Sequence, residues 1–147
     1  IDKVYTEEIK PRLWPETVAA AKEHLAAGRE VWLLTAAPVE LAEAIAKDIG
    51  ATGALGTRVG HADGVLTGEL IGEPLHGKAK SRAAKQLAKE RGISLKRSYA
   101  YSDSFNDLPL LSLVGHAVAV NPDKILTRHA EAAGWEIMRF KKKDLKR

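Results

Sequence analysis

Residues 100–111 read AYSDSFNDLPLL: a strand-like run, then four polar side chains within five positions, then a leucine-rich helical run. One Ser or Asp is enough to cap a helix. Asp103, Ser104, Asn106 and Asp107 together exceed that need. In an α/β sheet, ligands gather beyond the carboxyl ends of the strands. These residues fall there if residues 97–101 form a strand and a helix begins near Asn106.

The flanking sequence supports that placement. Residues 14–27 read as a helix with Pro15 at its first position and Gly28 as its stop. Residues 31–34, VWLL, form a short continuous apolar run of the kind found in strands buried on both faces. A second helix opens at Pro38 and closes at Gly50. The glycine-rich residues 51–72 predict a short strand and a hairpin turning near Asp63 and Gly64. A helix over 77–91 stops at Gly92, and after the strand at 97–101 come a strand at 117–120, a helix beyond Pro122 and a last strand at 136–140. Helices alternating with short apolar strands predict an α/β layered fold with a mainly parallel sheet.

Composition narrows the function classes. The chain has 147 residues, 45% apolar and 29% charged, which fits one ordinary globular domain. No run approaches the length of a membrane span. The absence of cysteine excludes disulfides and thiolate metal sites and fits a reducing cytoplasm. His24, His61, His76, His116 and His129 lack close ligand spacing, which argues against a zinc hydrolase. The net charge is +4, and the last seven residues, KKKDLKR, supply much of it. A basic tail can attract nucleic acid or anionic lipid. No aromatic stacking platform accompanies it, so no nucleic acid is expected as a partner.

Two further clusters sit at strand or helix ends. Thr35 follows VWLL directly, with Ala36, Ala37 and a helix start beyond it. A hydroxyl beside helix N-terminal N–H groups can hold a phosphate oxygen, or it can simply cap the helix. Lys78 and Lys80 fall in the first turn of the helix after the hairpin, where a cation opposes the helix dipole. A phosphate would explain them; in a chain with 23 Lys and Arg, so would chance. For Asp103 and Asp107, oxygen ligands of this kind suit Mg²⁺, which takes one or two carboxylates plus waters and substrate phosphate. Hydroxyl, lysine and paired carboxylates are together the groups that bind, neutralise and orient a transferring phosphoryl group.

The order of LLTAAP, DGVLTGEL, GKAKSRAAKQLA and YSDSFNDLPLL resembles the haloacid dehalogenase superfamily, in particular its phosphoserine phosphatase-like branch. The resemblance implies a Rossmann-like three-layer sandwich and an Mg²⁺-dependent phosphomonoesterase acting through an aspartyl-phosphate. Carried over, it makes Thr35, Lys80, Asn106 and Asp107 catalytic. Thr35, Ala36, Lys80 and Asn106 would bind phosphate, and Asp103 and Asp107 would hold the metal. Lys80 is preferred to Lys78 because Ala83, Ala84 and Leu87 then take the apolar positions that follow the lysine in the family. Ser102 and Ser104 stand where the family usually has glycine; both are small.

One departure matters. The superfamily's D-x-D-x-[T/V] motif, whose first aspartate attacks phosphorus, does not occur here; Asp2 is followed by Lys3 and Val4. The resemblance implies that this motif and most of a helical cap lie N-terminal to the present sequence. Residues 1–12 would then be the end of the cap, 13–140 the core and 141–147 a basic tail. The nucleophile strand would belong between the strands ending at Thr35 and at Asp103, and leaving those edges unpaired is costly. The expectation is therefore an N-terminal segment outside this sequence, a strand exchanged from another copy, or a rearranged sheet. The chain alone would be inactive. The alternative is a non-catalytic relative that binds phosphate ligands or a protein partner.

Overall fold

The computed structural model describes residues 15–140, so the expected cap remnant at 1–12 and the tail at 141–147 lie outside the described residues. The described chain divides into two compact units, one ending at Leu75 and one spanning His76–Phe140.

The first unit opens with α1 (Pro15–Ala26), whose Glu16 complements the helix dipole in the first turn. Strands β1 (Trp32–Pro38) and β2 (Gly53–Thr57) are parallel, joined by α2 (Val39–Ile49). Ala42, Ala46 and Ile49 give α2 a buried stripe at helical spacing, and Gly50 ends it in the left-handed conformation. The strand expected at 31–34 runs on to Pro38 through an irregularity. Leu34 pairs with Leu55 but Pro38 with Thr57, so β1 spends four steps against two on β2. Strands β3 (Val59–Ala62) and β4 (Val65–Leu70) form an antiparallel hairpin. Its turn residues Asp63 and Gly64 have φ of 52° and 78°, the left-handed pair that a tight hairpin requires.

The second unit begins with α3 (Lys78–Arg91), followed by the parallel sheet β5 (Tyr99–Ser102), β6 (His116–Val120) and β7 (Glu136–Met138), in that order. Helix α4 (Leu108–Leu111) links β5 to β6, and α5 (Lys124–Ala133) links β6 to β7. Leu111, Ala117, Ala119, Leu126 and Ala130 form the core of this unit, with Ala100, Leu108, Val114, Trp135 and Ile137 packed around them. Leu111 and Leu126 are wholly buried, each worth about 1.5–3 kcal/mol of transfer free energy. Gly115 is tightly packed. A Cβ there would lie 1.7 Å from the Lys96 carbonyl oxygen.

Two parallel sheets and one hairpin, with helices between successive strands, are the α/β architecture expected from the periodicity. Three boundaries of the second unit differ by two residues. Residues Leu95–Arg97 take a 3-10 turn, so β5 starts at Tyr99. Phe105–Asp107 form another, so the helix expected from Asn106 begins at Leu108. Strand β7 ends at Met138.

Candidate active site

Strand β5 ends at Ser102, and the polar residues follow at its carboxyl end. Ser104 caps the 3-10 turn: its Oγ accepts from the Asn106 N–H at 3.1 Å, and its carbonyl accepts from the Asp107 N–H at 3.0 Å. These bonds place Asp107 facing inward, only 9% exposed. Ser102 Oγ donates to Asp107 Oδ2 at 2.5 Å and accepts from the Ser104 N–H at 3.2 Å.

Lys80 reaches the same carboxylate from the first turn of α3. Its Nζ lies 2.9 Å from Asp107 Oδ1, and both side chains are about nine-tenths buried. Oδ1 makes no directed hydrogen bond, so its contact with the ammonium is electrostatic. A cation opening a helix opposes the macrodipole, and the Asp107 carboxylate offsets that cost. Lys80, Ala84 and Ala88 are all buried at four-residue spacing, whereas Lys78 is exposed. The lysine that meets the acidic loop is therefore Lys80.

Asp103 is exposed, and its carboxylate has no partner among the described residues. Its backbone is held: the Asp103 carbonyl accepts from the Asp123 N–H at 3.0 Å. Asn106 is half-buried, and its carbonyl oxygen lies near Gly77, at the start of α3. Gly77 has φ 58° and ψ −122°, a conformation open essentially to glycine alone.

The structure thus brings Lys80, Asp103, Asn106 and Asp107 into one unit, and describes Thr35 and Ala36 in the other. Thr35 does not follow a finished strand as the sequence suggests. It sits inside β1 at the register irregularity, where its Oγ accepts from the Ala37 N–H at 3.1 Å, and Ala36 is exposed.

Two residues were not marked as functional by their sequence context. Ser102 reads as a small residue until its hydroxyl is seen on Asp107. Asp123 reads as an ordinary helix cap and is one, accepting from the Leu126 N–H at 2.7 Å; its other oxygen accepts from the Phe105 N–H at 2.9 Å. Those two N–H groups, Leu126 first, hold its carboxyl below the usual aspartate range.

Among the described residues no group of three or more His, Asp or Glu is placed to hold a metal. The donor set nevertheless fits a hard cation. Asp107 Oδ1 is a buried oxygen that faces the Lys80 ammonium without a directed hydrogen bond, and the Asp103 carboxylate has no partner among the described residues. Two carboxylates completed by water and phosphate oxygens are the usual complement for Mg²⁺.

Comparison with known proteins gives the family. The family profile of haloacid dehalogenase-like hydrolases matches residues 1–112. The chain is 51% identical over 140 residues to a phosphoserine phosphatase, SerB1, of Mycobacterium tuberculosis, covering 95% of this chain and 46% of that protein. It is 36% identical over 139 residues to a histidinol-phosphatase of Neisseria meningitidis, covering 92% of this chain and 63% of that one. Among solved structures, a phospho-aspartyl intermediate analogue of phosphoserine phosphatase superposes with a TM-score of 0.69 at 27% identity, covering 84% of this chain and 57% of its own. The chain therefore spans about half the length of the curated phosphoserine phosphatase it matches. With the match running through the Lys80–Asp107 pair and the loop after β5, this chain belongs to the haloacid dehalogenase-like hydrolases.

Proposed function

We propose that the chain supplies the lysine and carboxylate part of an Mg²⁺-dependent phosphomonoesterase that works through an aspartyl-phosphate. The observation that carries this reading is the buried Lys80–Asp107 pair, 2.9 Å apart, in the loop after β5 that also carries Asp103, whose carboxylate has no partner among the described residues. Asp103 and Asp107 would hold Mg²⁺, which when bound neutralises phosphoryl charge and orients the reacting oxygens. Lys80 supplies positive charge toward the phosphate while its contact with Asp107 Oδ1 holds that carboxylate in place. Asn106 donates to a phosphate oxygen. The attacking aspartate comes from polypeptide outside the present sequence, an N-terminal segment or a strand from another copy. Without it this chain is inactive.

Phosphoserine is the leading substrate, on the strength of the 51% identical relative. Serine and histidinol are both 2-amino primary alcohols, so the substrate class is a monoester of such an alcohol. No described helix is long and apolar enough to cross a membrane, and the cysteine-free sequence suits the cytoplasm. The test is phosphate release by the full-length protein from phosphoserine, histidinol phosphate and a simple alkyl phosphate, with Mg²⁺ and with chelator. Mg²⁺-dependent hydrolysis favouring the amino-alcohol esters is expected. No phosphate release from any of them overturns the reading.

A further inference from the structure

We propose that Ser102 is a positioning residue: its hydroxyl fixes the Asp107 carboxylate in the orientation that a divalent cation and its water shell require. The idea rests on the metal-assisted reading above and concerns a residue that this reading leaves without a role.

The Ser102 Oγ to Asp107 Oδ2 distance of 2.5 Å is in the short range of hydroxyl-to-carboxylate hydrogen bonds. The direction of that bond is set by a second one. Ser102 Oγ already accepts from the Ser104 N–H at 3.2 Å, so its own hydrogen is the one that points at Asp107. Lys80 cannot do this job alone. An ammonium on a flexible four-carbon stem is a point charge that attracts Oδ1 without fixing the plane of the carboxylate. With Lys80 on one oxygen and Ser102 on the other, the carboxylate plane is held from both sides.

Ser102 is also well anchored. It is the last residue of β5 and pairs with Ala119 of β6, which is wholly buried. Rigid strands hold functional side chains more closely than loops do. The orientation of Asp107 is therefore referred to the buried sheet through one hydroxyl, leaving the adjacent Asp103 carboxylate free for its own ligand. Alanine or glycine at 102 removes the donor and lets the Asp107 carboxylate turn.

The experiment uses the full-length protein and its Ser102→Ala, Ser102→Gly and Ser102→Thr variants. Mg²⁺ is titrated against the rise in melting temperature, because a ligand that binds only the folded state stabilises it. Loss of a bond to a metal-ligating carboxylate typically weakens metal binding 10–100-fold. The alanine and glycine variants are expected to need roughly tenfold more Mg²⁺ for half the rise, while threonine keeps the wild-type dependence. In the phosphatase assay the same two variants are expected to lose kcat with KM unchanged. An Mg²⁺ titration indistinguishable from wild type in Ser102→Ala or Ser102→Gly overturns the proposal, as does failure of threonine to restore it. If alanine prevents folding, glycine carries the comparison. A wild-type protein stabilised by Mg²⁺ that hydrolyses no phosphomonoester overturns the phosphatase reading, and the Mg²⁺ titration alone then decides the role of Ser102. A wild-type protein that Mg²⁺ does not stabilise overturns the Ser102 proposal, and the hydrolysis assay still decides the other.

Discussion

Asp123 gives its backbone N–H to the Asp103 carbonyl at 3.0 Å, while its own carboxylate takes the N–H groups of Phe105 and Leu126. One residue at the start of α5 thus holds the acidic loop after β5 by a hydrogen bond in each direction.

Replacing Asp123 with alanine is expected to lower the melting temperature and to speed hydrogen exchange at Phe105 and Leu126 together. The effect depends on pH with a definite sign. The Asp123 carboxyl is held below its ordinary value of 3.8 by the Leu126 and Phe105 N–H groups. Its contribution is therefore fully present above that value and fades as pH falls through the lower, folded one. Melting curves of wild type and Asp123→Ala should differ most at neutral pH and converge in acid. A difference that grows in acid contradicts the assignment.

Lys80→Ala leaves the Asp107 carboxylate buried without its cation. Breaking a pair this buried costs about 3 kcal/mol or more, and phosphatase activity should disappear with it. Chemical denaturation of Lys80→Ala, Asp107→Ala and the double variant tests the coupling. The double variant should be less destabilised than the two single losses combined, and simple additivity would show that the pair does not interact. Lys78→Ala, at an exposed position, should leave both stability and activity close to wild type.

Asp103→Asn separates function from folding. The carboxylate is exposed and without a partner among the described residues, so the melting temperature without Mg²⁺ should hardly move. Mg²⁺-dependent hydrolysis by the full-length protein should fall by roughly 10²-fold or more. Retention of activity with normal Mg²⁺ dependence removes Asp103 from the metal site.

Gly115→Ala tests the packing beneath β6. The added methyl would meet the Lys96 carbonyl at 1.7 Å, so the turn before β5 or the start of β6 must shift. Overpacking of this kind costs roughly 1–3 kcal/mol, read as a lower denaturation midpoint with an unchanged slope.

Much of this fold is legible in local sequence because its punctuation is chemical. Gly28, Gly50 and Gly92 follow helices and have φ of 84°, 76° and 64°, and Asp63–Gly64 is a hairpin turn by composition alone. The preference for Lys80 over Lys78 rests on the resemblance, in which Ala83, Ala84 and Leu87 take the family's apolar positions, and in the structure Lys80 shares the buried stripe of Ala84 and Ala88. What local pattern cannot show is pairing across the chain. The continuation of β1 through Thr35 depends on Pro38 meeting Thr57. The second role of Asp123 depends on Phe105, 18 positions away. Ser102 is hard to read for another reason: serine is small and carries a hydroxyl, and its sequence context points only to its size.

The irregularity in β1 also limits how residue 35 can vary over time. The Thr35 Oγ already accepts the Ala37 N–H, so the hydrogen that remains on it is free to be given elsewhere. A valine of the same shape would strand that amide and remove the donor in a single step. Serine keeps the hydroxyl, and with it both the accepted N–H and the remaining hydrogen. Descendants of this chain should therefore drift at position 35 between two residue types only, whichever of the two roles selection is acting on.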